Sequence, residues 1–569
     1  MSTDQVEQGE PSGFSIVERH FSRRFQVYMV GEGVLVGLAG GLLVTLYRIS
    51  LSKAESVLRI FTRLANETPA LVVLWFAILM ALCLIVCRLM IWEPHTQGSG
   101  IPQVDAEVMG LIDMSWAKVA VAKFVEGTLC CLGGLSLGRE GPSVQLGAMA
   151  GKGVSRLIGR GRGEERLLVT CGAAAGMSAA FSAPLTGVLF AIEEIHKEFN
   201  APLIISVMAA AVSSDFLASE VLGVEPVLQF VFAKDIPHLY YAYILVLGLF
   251  CGVVGALHNR GMFAVSEKLY DRLARKAPYV RVAIPFAIAG IMAFVCPELT
   301  CGGDEIIKQI MRPGILPFGT VALLLGGKYL FTAVSFGSGA PGGTLFPLCV
   351  MGALCGYLFA DGAVLTLGLP TEFIPNFVVL GIGGLFASVV RAPVTAVVLA
   401  FELTGSLDAL LSVSMVSMLS YVTANLMRVD PFYEHLLSRL VGSTPRDPGA
   451  NGGPGEKILH TMAVGAGARV DGKMISEIPW PEGVRVVLVT RAGKEIIPTG
   501  ATVLMSLDEV LLIMDSDRED ETYAKAWSLF ASSLTSNWTP KSSAIRARFS
   551  SAVATRVFRG KGADSRHSS

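Results

Sequence analysis

Residues 138–151 read GREGPSVQLGAMAG, and residues 343–356 read GTLFPLCVMGALCG. Gly138, Pro142, Gly147, Ala148 and Gly151 fall on Gly343, Pro347, Gly352, Ala353 and Gly356 without a gap. A second pair follows in the same order. Residues 172–193, GAAAGMSAAFSAPLTGVLFAIE, lie against 381–402, GIGGLFASVVRAPVTAVVLAFE, with Gly172, Pro184 and Glu193 on Gly381, Pro393 and Glu402. Upstream, Lys123 and Lys328 stand at the same offset as the first pair. Two ordered, gapless pairs mark a duplicated chain rather than chance glycine-rich similarity. Apolar segments cut by Gly and Pro at matching places in two halves are the pattern of a secondary transporter, whose binding site lies near the midplane where the halves meet. The spacing alone leaves parallel and inverted halves both open.

Composition agrees with a membrane chain. Of 569 residues, 52% are hydrophobic and only 16% charged, against about 25% charged in soluble domains. Mean hydropathy is +0.56. So little polar surface excludes a set of water-soluble domains, and so much apolar sequence excludes a disordered chain. Net charge is -1, which gives no sign of a nucleic-acid partner. The 10 cysteines lie mostly in or beside apolar stretches and show no metal-ligand spacing. They read as small buried side chains. No cofactor or metal is expected.

Clear spanning segments are 28–50, 70–92, 202–222, 238–258, 282–297 and 409–427, and the interrupted ones are 116–137, 143–158, 167–192, 318–336, 345–360 and 376–402. A full span needs about 20 apolar residues, so shorter pieces must end within protein or beside water. Arg19, Arg23 and Arg24 precede the first run, and the positive-inside rule then places the N-terminus in the cytoplasm. The expected organisation is a cytoplasmic segment (1–26), a transmembrane domain (27–440), a Gly/Pro linker (441–457), a soluble domain (458–517) and a basic, Ser-rich disordered tail (534–569). Within the soluble region HTMAV, VRVVLVTRAG, GATVLM and EVLLIMD read as strands.

Three Gly-rich motifs sit inside the apolar region: GSGIPQ (98–103), GREGP (138–142) and GAPGGTLFP (339–347). Each joins small residues to a proline suited to a helix's first turn. Free N–H groups and partial positive charge at such helix starts suit an anion. Converging near the midplane, they would replace its hydration shell without a buried cation. A cation site would need inward carboxylates or carbonyls instead.

These motifs, in this order and followed by Tyr433, resemble the CLC family of chloride channels and chloride/proton exchangers over roughly residues 25–440. The resemblance implies an all-α polytopic membrane fold of two inverted-repeat halves with broken helices. It also implies a homodimer with one anion pathway per subunit. The implied chloride ligands are the hydroxyls of Ser99 and Tyr433 and the backbone amides of Thr344 and Leu345. Gly98, Gly100, Ile101, Pro102, Gly138, Arg139, Gly141, Pro142, Gly343, Phe346 and Pro347 belong to the same selectivity motifs. Glu140 matches the gating glutamate, and Glu194 the internal proton-transfer glutamate of exchangers. Hydroxyls are neutral donors that hold an anion without trapping it. An ionised Glu140 can take the anion's seat, and protonation removes it as a competitor. The plain alternatives are a helix-capping Glu140 and a solvated pair Glu193–Glu194 at a helix end. Glu193 and Glu402, which repeat, are assigned to structural pairing. Lys123 either draws anions toward the pathway or makes a structural ion pair. Thr344 and Leu345 depart from the family's usual residues, which should affect packing more than ion identity. Retention of Ser99 and Tyr433 argues against the fluoride-exporting branch.

The region around 455–517 resembles the RCK-C (TrkA-C) regulatory domain, a small α+β unit that often dimerises and binds small ligands. The usual Gly-Asp near its end is Leu507-Asp508 here. The expected function is proton-coupled chloride antiport in a cell membrane, such as a bacterial inner membrane, with both termini cytoplasmic and a small-molecule regulator at the C-terminal domain. The alternative is a passive voltage- or pH-gated chloride channel, against which Glu194 speaks. A potassium transport protein would need a carbonyl filter that the sequence lacks, and an enzyme a nucleophile or metal constellation.

Overall fold

The computed structural model describes residues 13–197, 201–223, 232, 236–276, 278–311, 316–443, 457–465, 468–491, 494–506, 508–515 and 519–530. The start of the segment expected to be cytoplasmic, nearly all of the expected 441–457 linker, Leu507 and the expected 534–569 tail therefore lie outside the described residues. Two compact units divide at Ser443/Thr444.

The first unit is helical: α1 (Gly13–Glu67), α2 (Pro69–Trp92), α3 (Ile101–Val108), α4 (Trp116–Leu132), α5 (Glu140–Ile158), α6 (Arg162–Phe181), α7 (Pro184–Phe190), α8 (Ala201–Leu222), α9 (Tyr241–Ala264), α10 (Asp271–Lys276), α11 (Pro278–Val295), α12 (Asp304–Ile310), α13 (Phe318–Gly337), α14 (Leu345–Leu367), α15 (Ile374–Val390), α16 (Pro393–Thr404), α17 (Ala409–Leu426) and α18 (Phe432–Ser443). Among the described residues, eight helices are long and apolar enough to cross a membrane. The first runs on to Glu67 rather than ending near 50, because no proline interrupts it before Pro69. Segments 167–192 and 376–402 each break once, at Ser182 (φ 54) and Arg391 (φ 75). Ala-Pro follows each break, and the proline opens the next helix, α7 or α16.

The repeated glycines have a packing cause. A Cβ on Gly147 would run into the carbonyl of Gly172, and one on Gly381 into that of Gly352. The α5–α6 and α14–α15 crossings thus bring backbone against backbone, as small residues allow in membranes. The two copies are antiparallel where they meet: Gly138 and Gly343 form an isolated antiparallel bridge. Two reciprocal clasps tie the halves further. The Glu193 carboxylate accepts from Thr395 N (2.8 Å) and Thr395 Oγ1 (2.7 Å) at the start of α16. The Glu402 carboxylate accepts from Leu185 N (2.8 Å) and Thr186 N (2.7 Å) at the start of α7. Glu193 and Glu402 are structural, as expected, but each caps a helix of the opposite half, where negative charge is favoured.

Among its described residues, the second unit is a four-stranded antiparallel sheet with one α-helix. Its strands β1 (Lys457–Ala463), β2 (Arg485–Arg491), β3 (Lys494–Ile496) and β4 (Glu509–Asp515) lie in the order β1-β4-β2-β3. GATVLM, expected as a strand, contributes only a single bridge, Met474 to Val503. A turn closed by Thr499 N donating to Thr502 Oγ1 (2.9 Å) takes up that stretch instead. Helix α19 (Glu519–Phe530) buries Ala526, Leu529 and Phe530 in the core with Met462, Val510 and Leu512, so the packed unit continues beyond residue 517. Asp508 is buried and receives both Arg491 Nε (2.8 Å) and Arg491 Nη2 (2.7 Å), with Met505 N at 2.8 Å. These donors hold its carboxyl below the usual carboxylate range.

Candidate functional site: an anion cradle at converging helix starts

The three Gly-rich motifs come together. Gly138 N donates to Gly343 O (2.6 Å) and Gly343 N to Gly138 O (2.8 Å). Gly98 N donates to Gly339 O (3.0 Å) and Gly342 N to Gly98 O (3.0 Å). This irregular backbone is satisfied by its own kind, which is what lets it stand inside a membrane domain. The first residues of α3, α5 and α14 therefore start from one knot of backbone. Gly141 has to be glycine, since a Cβ there would collide with Ser99 and press on Gly343 Cα.

Ser99 and Tyr433 are 2% and 0% exposed, and neither hydroxyl has a hydrogen-bond partner. The Tyr433 phenol, at the start of α18, faces the side chains of Thr344 and Ser99. Two buried hydroxyls left unpaired cost about 1–3 kcal/mol each. They are explained if a ligand accepts from both. Thr344 and Leu345, at the N-cap and first turn of α14, are buried beside them. Among the sequence-selected residues, then, Ser99, Tyr433, Thr344 and Leu345 gather at one place.

Glu140 is 0% exposed. Its Oε2 accepts from Phe346 N (3.2 Å), in the first turn of α14, while Oε1 has no partner and lies 3.7 Å from Arg139 Nε. The carboxylate of one half's helix start thus occupies the other half's helix start. Arg139 sits over the Phe346 ring, 5.2 Å from its centroid, rather than clamping Glu140 bidentately. A loosely paired carboxylate of this kind can leave.

Glu194 lies in a π-helical stretch, Ala191–His196, that follows α7, within electrostatic reach of Tyr433. Such segments frequently mark functional positions. Glu194 is buried and in electrostatic contact with Asp105, Lys197 and Glu434. Asp105 was not selected from the sequence. It is 1% exposed, neither carboxylate oxygen has a hydrogen bond, and Lys197 Nζ stands 3.9 Å away. Because Gly100 caps the start of α3, the helix that follows Ser99 also carries Asp105, which interacts electrostatically with Glu194. In sequence, Asp105 and Glu107 resemble any polar helix face, so pattern gave no signal.

Lys123 serves as a clamp on backbone rather than as half of an ion pair. Its Nζ donates to the carbonyls of Thr96 and Gly98, both at 2.7 Å. Lys328 does the same to Leu299 (3.1 Å) and Cys301 (2.8 Å). The repeated lysines are backbone clamps on two equivalent loops. Those loops constitute a third repeat. Gly98 (φ 66) and Gly100 (φ 96) correspond to Cys301 (φ 52) and Gly303 (φ 101), and each loop opens a short helix, α3 or α12. Gly302 stands where the first half has Ser99, and Asp304 follows. The second copy keeps the shape and lacks the donor, so only one hydroxyl loop faces the cradle.

The sequence profile of the voltage gated chloride channel family matches residues 80–425, and that of the TrkA-C domain matches 459–526. The H(+)/Cl(-) exchange transporter ClcA of Vibrio cholerae is 31% identical over 420 residues, covering 71% of this chain and 88% of that protein. Its counterpart in Vibrio vulnificus is 32% identical over 421 residues, covering 72% and 88%. The crystal structure of a slow cyanobacterial Cl-/H+ antiporter superposes with a TM-score of 0.70 at 26% identity, over 74% of this chain and 99% of that one. A eukaryotic CLC transporter shares the fold, with a TM-score of 0.62 at 22% identity over 80% of each chain. The duplicated broken-helix frame, the knot of helix starts and these likenesses together make the chain a member of the voltage gated chloride channel (CLC) family, with a TrkA-C domain behind its membrane unit.

Proposed function

We propose that this protein exchanges chloride for protons across the membrane. One observation carries the reading. The Glu140 carboxylate is held by an amide of the α14 start, next to the unpartnered hydroxyls of Ser99 and Tyr433. A buried negative group and a halide would compete for the same donors. Chloride rests on Ser99, Tyr433 and the amides of Thr344 and Leu345. When Glu140 binds a proton it gives up the seat, and chloride advances as the proton moves the other way. Coupling arises because occupancy by carboxylate and by anion are mutually exclusive. Glu194, with Asp105 beside it, supplies a second buried acid from which protons reach Glu140. That second acid favours exchange over a passive channel, which needs only the gate.

The protein works as a homodimer in a bacterial inner membrane, with a pathway in each subunit and both termini in the cytoplasm. The TrkA-C domain binds a small-molecule regulator. The expected bounds are 27–440 for transport and a C-terminal domain starting near 458. Purified full-length protein in vesicles under a chloride gradient tests the central claim. Proton uptake against its own gradient, in fixed ratio to chloride efflux, is expected. Chloride efflux with no proton movement would leave the channel reading in its place.

A further inference from the structure

Cys301 occupies a backbone conformation that its counterpart in the first half fills with Gly98. A side chain in the left-handed region is uncommon and points to a role for that side chain. Here the side chain meets another thiol: Cys301 Sγ lies 3.9 Å from Cys131 Sγ, at the end of α4. Both cysteines are free. Cys301 Sγ also faces Cys131 O (3.5 Å), and Cys301 N bonds Gly134 O (3.4 Å), so the loop and the helix end are already in register.

The pair borders a cavity of about 50 Å³ whose lining includes Leu51, Cys131, Cys301, Gly302, Arg139 and Phe346. The cavity therefore joins the thiols to Arg139 and to the helix start that holds Glu140. Cys131 Sγ is 3.7 Å from Leu51 O, and Leu51 lies about 36 Å along α1 from Val27. The hydrocarbon layer is about 30 Å thick. A crossing that starts near Val27 and runs along the membrane normal carries the pair to the face opposite the N-terminus. With the N-terminus in the cytoplasm, that face meets an oxidising compartment.

We propose that Cys131 and Cys301 form a dithiol switch that a small disulfide closes, slowing transport. The thiolate of Cys131, the less buried of the two cysteines, attacks a disulfide RSSR and displaces RS⁻, leaving a mixed disulfide. The thiolate of Cys301 then attacks the Cys131 sulfur and displaces the second RS⁻. The two cysteines lose two protons and two electrons, the protons go to the leaving thiolates, and RSSR is reduced to two RSH. Closing 3.9 Å to a bonded S–S distance of about 2.05 Å draws the Cys301 loop toward α4. Gly302 moves with it, and Gly302 rests against the Phe346 ring, where a Cβ would stand 2.8 Å from Cδ1. Phe346 N is the donor to Glu140. The crosslink therefore alters the seat that Glu140 must leave and regain. The effect on rate rests on the transport reading above, whereas the crosslink itself does not.

The test uses full-length protein in vesicles exposed to cystamine on the cavity side, with peptide mapping and chloride flux from the same sample. Expected are a linked pair of peptides carrying Cys131 and Cys301, two hydrogens lighter than the free pair, and turnover reduced about 5-fold or more. Dithiothreitol restores it. Cys131→Ser and Cys301→Ser give no link and keep their turnover, while Cys130→Ser, on the same cavity, links and slows like the parent. Absence of the linked peptide overturns the proposal, as does a link with unchanged turnover. Equal slowing of Cys131→Ser and parent also overturns it. Peptide mapping reads the link without any flux, so a failure of transport itself would show separately.

Discussion

Replacing Glu140 by Gln keeps the side chain's size and removes its charge. In the native protein one ionised oxygen accepts from Phe346 N at 3.2 Å, and the other has only Arg139 Nε at 3.7 Å. A hydrogen bond to a charged group contributes about 1.5–3 kcal/mol. At 1.4 kcal/mol per decade, the carboxylate's hold on the seat is worth about 10- to 100-fold against an incoming anion. The Gln side chain holds the seat only as a neutral acceptor, so halide affinity measured by calorimetry above pH 7 should rise by up to that factor. Its dependence on pH should flatten, since protonation no longer clears the seat. In vesicles with simultaneous chloride and pH electrodes, proton flux should fall to background while chloride flux persists. A variant that still drives protons uphill refutes the gate assignment. Unchanged halide affinity refutes the idea that carboxylate and anion share donors.

Glu194→Gln should likewise abolish proton flux with chloride flux retained, yet change halide affinity far less than Glu140→Gln because Glu194 does not sit on the α14 amide; a halide affinity raised as much as in Glu140→Gln would count against that separation. Lys123→Met leaves the Thr96 carbonyl buried without its donor and the Gly98 carbonyl with Gly342 N alone, and should lower stability by about 1–3 kcal/mol, measured by detergent unfolding, together with loosened halide binding through Ser99. In the full chain, Arg491→Ala should destabilise the TrkA-C domain by about 2–3 kcal/mol, read as a lowered unfolding transition of that unit. Because Arg491 holds the Asp508 carboxyl below its ordinary range, the pair's contribution is full above the ordinary carboxylate pKa of about 4 and is lost as pH falls through the lowered value. Acid titration of the parent should therefore show a loss of domain stability below about pH 4 that Arg491→Ala no longer shows.

The residues legible in sequence were those whose identity the backbone constrains. Gly147, Gly172, Gly352 and Gly381 repeat because only glycine fits the two helix crossings, and Pro184 and Pro393 repeat because both open helices. The 98–100 and 301–303 loops are not legible as a repeat in sequence because what they share is a pair of left-handed turns and a lysine clamp, and Cys301 stands in a glycine's place. The clamp itself was invisible for a related reason: Lys123 and Lys328 bind carbonyls, which every residue carries. Asp105 could not be told from a solvated acid until α3 was seen wholly buried. Ser99, Glu140 and Tyr433 were found through family likeness. What their mutual placement adds is the unpartnered state of the hydroxyls and the amide under Glu140.

The exchange of carboxylates between Glu193 and α16, and between Glu402 and α7, bears on how the protein is made. The amides of Leu185 and Thr186 wait for a partner 217 and 216 residues later in the chain. At about 5–20 residues per second, the ribosome delivers Glu402 on the order of 10–40 s after α7. Through that interval the first half must rest in lipid with an uncapped helix and a lone acid, so insertion machinery or a neighbouring nascent segment has to shelter it. A synthesis pause or truncation between the halves would accordingly send the amino-terminal fragment to quality-control proteolysis rather than leave a half-sized pore.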